Sequence, residues 1–482
     1  MKTSDKNTQI FFDISSTIEY LAHHPHYSGI QRVVAMIISE YQKLSEDNQN
    51  LWISFLHPNT EKHCAINLNQ ISYKTLPSPE QTQKLFQDIG IISGSLLYLL
   101  QKYIHDKKKY YFHRTRYDIA ALFQNEELFQ KRGTTVSEWK KNRQKTIPLN
   151  VIRSLYDIAQ PNDKLILLDS TWGKKYIKAF KTAKANNLKI ITLVHDLIPT
   201  LAPNVAESEE VTSVFFNWMM QSTAYTNFYL ANSEYTKKDL QLFLEKNNIS
   251  LSVKTLPLTQ TGVPIIEPLS DQNSETVSDS IVQLPEHLEN IAKISNLCRS
   301  LLNDKFVLHV GTIEIRKNTW RLALAWKKLL EEGHTDLPRL VFAGRRGWMN
   351  ERFFDLLQAT GNLYGYITII DHASDKELEL LYKHCLFASM VSTYEGWGLP
   401  VGEALSYGKT AVVSNTTSLP EVGMDLVEYC DPLSVDSIAD AVRRLIYQPE
   451  HREALENKIK STRLRDWADV ARDLKRILEA NQ

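Results

Sequence analysis

Neither sign of charge is in surplus in this sequence: 56 Lys and Arg oppose 56 Asp and Glu across 482 residues. That balance excludes the basic excess that a dedicated nucleic-acid binder carries. Cysteine is scarce. Cys64, Cys298, Cys385 and Cys430 lie far apart, form no CxxC pair and have no metal-like spacing with His. Neither a disulfide scaffold nor a zinc module is indicated, and a reducing compartment is expected. No apolar run approaches the length that spans a bilayer. The chain reaches Ile10–Ile14 without the apolar core of a signal peptide, so a cytoplasmic location is expected. No repeat period is present.

What is present is two runs of alternating strand and helix patterns, enough for two or three domains. The first opens with a strand over Gln9–Ile14, a polar loop holding His23, His24, His26 and Gly29, a helix over Ile30–Tyr41 and a strand over Leu51–Leu56. From Lys164 it resumes with strands over Leu165–Asp169, Leu188–Val194 and Phe228–Ala231, then a helix capped by Ser233. The second places strands over Phe306–Val310, Leu340–Ala343, Tyr366–Ile370 and Leu386–Val391, with helices between them. Such alternation predicts doubly wound parallel sheets. The fold expected is α/β, with two Rossmann-like domains facing across a cleft.

Two stretches break the alternation. Glu61–Pro148 reads as an inserted helical subdomain. Its Lys107, Lys108, Lys109, Tyr110, Tyr111, His113, Arg114 and Arg116 form either a solvated charged face or an aromatic basic patch suited to an anionic membrane surface or a lipid-linked acceptor. Pro264–Glu289 is polar and aperiodic, and reads as the linker. The expected organisation is a first domain over 1–265 with an insertion at about 61–148, a linker over 266–300, a second domain over 301–460 and a final helix over 461–482.

The stretch richest in chemistry is Ser392–Gly423. Pro400 is pre-set for the first turn of a helix. Gly396 and Gly398 let backbone approach a ligand closely, and free amides at a helix start favour an anion. Glu403, one turn inside, is placed to accept from a ribose diol, and Glu395 to reach a sugar hydroxyl. The plainer alternative is that both carboxylates simply favour a helix N-terminus. Gly402–Thr410 resembles a phosphate-binding P-loop, but five residues separate its glycines instead of four, and it runs from helix to strand. Gly408 therefore reads as the residue that ends a helix.

Gly311–Asn318 is another strand-to-helix loop. Arg316 and Lys317 disfavour a helix start electrostatically, which a bound diphosphate would explain; Asn318 reads as the N-cap. His195-Asp196 follows a strand in the first half, at the end that faces an inter-domain crevice. Asp196 as a helix cap remains open.

Together these residues resemble glycosyltransferase family 4, whose members have the GT-B fold. The resemblance is strongest from Phe306 to Val422. The family's two glutamates, seven residues between them, match Glu395 and Glu403 in an E-G-x-G-L-P context made by Gly396, Trp397, Gly398, Leu399 and Pro400. Its phosphate-binding lysine, six residues after a glycine, matches Lys317 counted from Gly311, and Gly344 ends the second glycine-bearing strand. Ser28–Val33, His195–Pro199 and Ala231–Glu234 resemble a subgroup that builds bacterial surface polysaccharides. The chain departs from the family at Thr312, where many members have arginine and for which Arg316 stands in. It departs also at Trp397, at Val391 and in the single glycine, Gly29, of the first loop.

The resemblance implies retaining transfer of a hexose, such as mannose or rhamnose, from a nucleotide-sugar to a glycan or lipid-linked acceptor. GDP-mannose is one candidate donor. It implies catalytic roles for His195, Glu395, Arg316 and Lys317. Donor contacts are implied for Gly29, Gly311, Gly344, Gly396, Trp397, Gly398, Leu399 and Glu403 as well as Arg316 and Lys317. No cofactor is implied, and no metal, since the chain has no Asp-x-Asp pair to hold one. Peripheral contact with the inner face of the cytoplasmic membrane follows from a lipid-linked acceptor; nucleic acid is not a partner. A non-catalytic subunit of the same fold, binding glycan or scaffolding a partner, is the alternative. A sugar-nucleotide epimerase or phosphorylase is a third reading.

Overall fold

The computed structural model describes residues 8–45, 48–58, 60–92, 100, 107–131, 134–143, 151–262 and 294–481. Two sheets organise them. The first takes β1 (Ile10–Asp13), β2 (Leu51–Leu56), β3 (His63–Asn67), β4 (Arg153–Ser154), β5 (Lys164–Leu167), β6 (Lys189–Val194), β7 (Thr226–Ala231) and β8 (Val253–Thr255) in the order β4-β3-β2-β1-β5-β6-β7-β8. All neighbours are parallel except β2 with β3 and β3 with β4. The second takes β9 (Phe306–Val310), β10 (Arg339–Ala343), β11 (Ile367–Ile370), β12 (Ala388–Met390), β13 (Ala411–Ser414) and β14 (Glu428–Cys430) in the order β11-β10-β9-β12-β13-β14, all parallel.

Strand periodicity explains why both sheets are covered on both faces. Successive side chains of a strand point to opposite sides. Phe12 enters one core with Val34, Ile37 and Ile38 of the helix Gly29–Lys43, while Phe11 enters the other with Tyr176 and Phe180 of the helix Lys174–Ala185. Leu308 and Val307 of β9 divide in the same way. Fully burying a side chain of this size is worth about 1.5–3 kcal/mol. A strand apolar on both sides is therefore stable only in the middle of a sandwich of helices.

Three expectations need correction. The loop after β1 contains a helix, Ser15–Leu21, whose first amide is accepted by Asp13 Oδ1 at 3.1 Å. The stretch expected as an insertion begins with β3, a strand of the main sheet; all five of its residues are buried, so it shows no polar alternation. Beyond it come the helices Pro79–Asp88, Lys107–Leu122, Glu126–Gln130 and Val136–Arg143. The expected linker lies outside the described residues up to 293, and its far end is the helix Asn296–Leu301, capped by Ser295.

The final helix, Trp467–Ala480, crosses back to the first domain. It packs on the helix Gly29–Lys43, and Lys164 Nζ of β5 donates to Leu478 O at 2.6 Å. Among the described residues no helix is long and apolar enough to cross a membrane.

Candidate active site

The loop after β9 is shaped by two glycines. Gly311 has a φ of +141°, and a Cβ on Gly344 would lie 2.0 Å from its carbonyl oxygen, so the ends of β9 and β10 touch through backbone alone. A single 3-10 turn, Ile315–Lys317, follows. Its two cations converge on one carboxylate oxygen: Lys317 Nζ lies 2.7 Å and Arg316 Nη1 2.8 Å from Glu395 Oε1. Arg316 also donates to Tyr394 O at 3.0 Å and to Glu314 Oε1 at 2.5 Å.

Burial alone would raise the pKa of Glu395, but Arg316 and then Lys317 pull it down to about 2. Glu314 is held above its usual range by burial, and its Oε2 has no partner. The cations are thus not bare. Two carboxylates neutralise them, and the charge mismatch inferred from the Arg-Lys pair is resolved within the protein. Asn318 does not cap the next helix through its side chain. It takes a φ of +60° and donates to Val391 O and Pro432 O, tying the loop to the second sheet's other strands. Beneath this cluster His309 of β9 is fully buried, with Nε2 unpaired; desolvation, reinforced by Lys317, lowers its pKa to about 3.

Glu395 lies on a loop fixed by Ser418, whose Oγ donates to Glu395 O and Trp397 O at 2.9 and 3.0 Å. Gly398, with a φ of +115°, turns the chain into the helix Leu399–Ser406, and Pro400 occupies its first turn. Gly408 follows this helix with a φ of +72°, as expected of a terminating glycine. Glu403 projects from the second half of the helix. Its Oε1 pairs with Arg32 of the first domain at 3.2 Å, and Tyr382 Oη donates to its Oε2 at 2.8 Å. Arg32 reaches Asp375 as well, at 2.9 Å. Gly29, one turn before Arg32, faces the first residue of that helix: a Cβ there would meet Leu399 Cδ1 at 3.9 Å.

The two domains meet around this loop. A Cβ on Gly396 would lie 1.9 Å from His195 O, so the absent side chain lets the second domain's loop rest on the end of β6. Thr236 Oγ1 donates to Gly396 O at 3.3 Å. Trp397 is buried and donates to Thr259 O at 2.7 Å. Glu421 accepts the amides of Glu234 and Tyr235, both at 2.8 Å, and so caps a first-domain helix from across the cleft. Tyr394 Oη donates to Asp239, also across the cleft.

His195 turns its ring away from this contact. Its Nε2 donates to Leu168 O at 2.8 Å, and burial lowers its pKa, which favours the neutral ring. Asp196 accepts the amide of Ile198 at 3.0 Å from one residue before the N-cap, which is Leu197.

The structure brings together Arg316, Lys317 and Glu395 directly, with Gly311 and Gly344 beneath them. His195, Gly396 and Trp397 form the inter-domain contact beside them, Gly398 packs on Leu419 within the second domain, and Gly29, Leu399 and Glu403 form a second contact around Arg32. Sequence reasoning missed Glu314, Tyr382, Asp239 and Glu421. Glu314 had a signal: it sits two residues before Arg316 in the quoted loop. The other three had none, because their partners are remote in sequence.

Residues 298–462 match the family model described as glycosyl transferases group 1. An O-antigen chain mannosyltransferase B from Escherichia coli is 36% identical over 148 residues, 31% of this chain and 38% of that protein. A serotype-specific mannosyltransferase WbdA from the same organism is 26% identical over 218 residues, 43% of this chain and 26% of that protein. The matched part thus spans well under half the length of these relatives. Among solved structures, Anabaena HepE in complex with UDP-glucose aligns with a TM-score of 0.54 at 11% identity, covering 98% of this chain and 100% of that one. Sucrose-phosphate synthase from Thermosynechococcus elongatus aligns at 0.52 with 14% identity, covering 99% and 100%. These two likenesses span both sheets. The chain therefore has the GT-B fold, and its residues 298–462 are similar to the glycosyl transferases group 1 family.

Proposed function

We propose that this protein transfers a hexose, with retention, from a nucleotide-sugar to a glycan or lipid-linked acceptor in surface polysaccharide synthesis. The observation that carries the reading is the convergence of Arg316 and Lys317 on Glu395 at the mouth of the second sheet, facing the first domain. The mannosyltransferase names of the two relatives favour mannose, and GDP-mannose is the first donor to test.

In this reading the donor diphosphate takes up the Arg316 and Lys317 donors and the amides at the start of the helix Leu399–Ser406. Glu395, ionised throughout the physiological range, accepts from a sugar hydroxyl. Glu403 accepts from the ribose, and its second lone pairs leave room beside Arg32 and Tyr382. The bond from the anomeric carbon to the phosphate oxygen breaks, and the acceptor oxygen bonds to that carbon on the same face. The acceptor's proton passes to the departing phosphate, so no side-chain nucleophile is needed. His195 contacts the donor sugar by ring or carbonyl. Gly396 rests directly on His195 O, so donor entry requires the domains to part and product formation requires them to close.

The test is thermal stabilisation by a panel of nucleotide-sugars, followed by transfer assays with and without chelator. At least one donor should stabilise the wild type, Lys317→Ala should abolish that shift, and chelator should leave transfer intact. Absence of stabilisation and of product across the panel would overturn the reading in favour of a non-catalytic subunit. Activity lost to chelator and restored by a divalent metal would overturn the metal-free part.

A further inference from the structure

We propose that the outward face of the helix Lys107–Leu122, with the turn after it, docks on an anionic lipid surface. The inference goes beyond the transfer reaction and does not depend on it.

This helix is apolar on two opposite faces. One is satisfied: Tyr110, Tyr117 and Ala121, at spacings of seven and four, are buried with Phe129, Val136 and Trp139 in a small core of their own. The other is not. Phe112, Ile119 and Phe123 share the opposite face, with Tyr111 and Leu122 on its flank, and all five are exposed; Phe112 is 67%, Leu122 76% and Phe123 82% accessible. Single exposed apolar residues are ordinary, but a contiguous set marks a contact surface. Five of the sixteen large apolar side chains exposed among the described residues fall within 111–123. A helix with apolar residues all round is normally covered all round, and this three-helix unit covers one side.

Charge selects the occupant. Lys108 and Arg116, both exposed, fall on the apolar face itself, four residues before Phe112 and four after it. Lys109, also exposed, flanks it. The helix has a single acid, Asp118, and that carboxylate points inward, accepting from Trp139 Nε1 at 2.9 Å. Aromatic and aliphatic side chains interleaved with Lys and Arg, and without acids, are the chemistry of an interfacial helix: the rings enter the acyl boundary and the cations meet lipid phosphates. A protein partner or a second copy would be expected to face a mixed-charge rim.

The experiment is vesicle sedimentation of the full chain. Vesicles of phosphatidylcholine alone are compared with vesicles that also contain phosphatidylglycerol. Two variants are run beside the wild type, Phe112→Ser with Phe123→Ser, and Lys108→Glu with Arg116→Glu. The wild type should partition onto the anionic vesicles. Partitioning should fall at least about ten-fold without the anionic lipid, at high salt, or in either variant. The melting temperature of each variant should stay at that of the wild type, which separates lost docking from lost folding. Equal sedimentation of wild type and variants would overturn the proposal, as would failure of the wild type to bind anionic vesicles. Concentration-dependent self-association abolished by the Phe variant, with no lipid binding, would assign the face to a second copy instead.

Discussion

Arg32 of the first domain and Glu403 of the second form an ion pair of 3.2 Å across the cleft, and Tyr382 holds the other oxygen of the same carboxylate. Both side chains are largely shielded, at 23% and 12% exposure, so the pair is worth more than a surface bridge and leaves a costly orphan when halved. A double-mutant cycle isolates it. Arg32→Ala and Glu403→Ala should each destabilise the protein by about 1–3 kcal/mol. The double variant should fall short of their sum by about 1 kcal/mol or more. Strict additivity in urea unfolding would show that the pair does not hold the domains together.

Gly396 is the position where the cleft has no slack. A methyl group there would sit 1.9 Å from His195 O, inside any allowed contact. Gly396→Ala should therefore keep both sheets, read by an unchanged far-ultraviolet spectrum, yet prevent the loop from resting on β6. Misplacing reacting groups by about 1 Å costs on the order of 100-fold in rate. A transfer rate within about three-fold of wild type would show that closure around Gly396 is not part of the reaction.

Much of this arrangement is legible in the sequence itself. Phe306–Val310 was legible to the residue, because its apolar run ends at Gly311. The convergence of Arg316, Lys317 and Glu395 was legible in kind, since both loops leave parallel strands at the same end of one sheet. What could not be read was how those charges are compensated. Glu395 is 78 residues from Arg316's neighbour Lys317, and only the β9–β12 pairing makes them adjacent. The same holds for Glu421 at the helix of Glu234, 187 residues away. β3 escaped notice for a different reason: buried throughout, its five residues lack the alternation by which a half-exposed strand is found.

His309 makes stability depend on acid. Its folded pKa, about 3, lies below the ordinary imidazole value. As pH falls below about 6.5 the unfolded chain takes up a proton that the folded protein refuses, so stability is full above that pH and is lost on the way down. Glu395, lowered to about 2, adds to the loss only as pH falls below about 4.5. Asp169, raised to about 6 by burial, works the other way. Comparing wild type with His309→Phe cancels both carboxylates. Between about pH 6 and 4 the variant should gain on the wild type by about 1.4 kcal/mol per pH unit. A difference that stays constant in urea titrations over that window would mean His309 is protonated in the fold.

The last helix predicts where damage at one end of the chain is felt. Asp466 opens it with a capping box shared with Asp469, and Trp467, Val470, Ala471, Leu474 and Leu478 are buried beneath it. These residues belong to the same core as Val33, Val34 and Ile37 of the helix Gly29–Lys43. On the way there, Gln260 donates to Arg465 O at 2.8 Å and accepts from Arg465 N at 3.2 Å, so the crossing is pinned to the first domain before the helix begins. Truncating a buried leucine costs its transfer energy and the cavity left behind, about 2–5 kcal/mol. Leu474→Ala should show that cost, whereas Lys475→Ala next to it should stay within about 0.5 kcal/mol. The loss should register in amide exchange of the helix Gly29–Lys43, more than four hundred residues earlier in the chain. Protection there that survives Leu474→Ala unchanged would place the helix's stabilising contacts in the second domain alone.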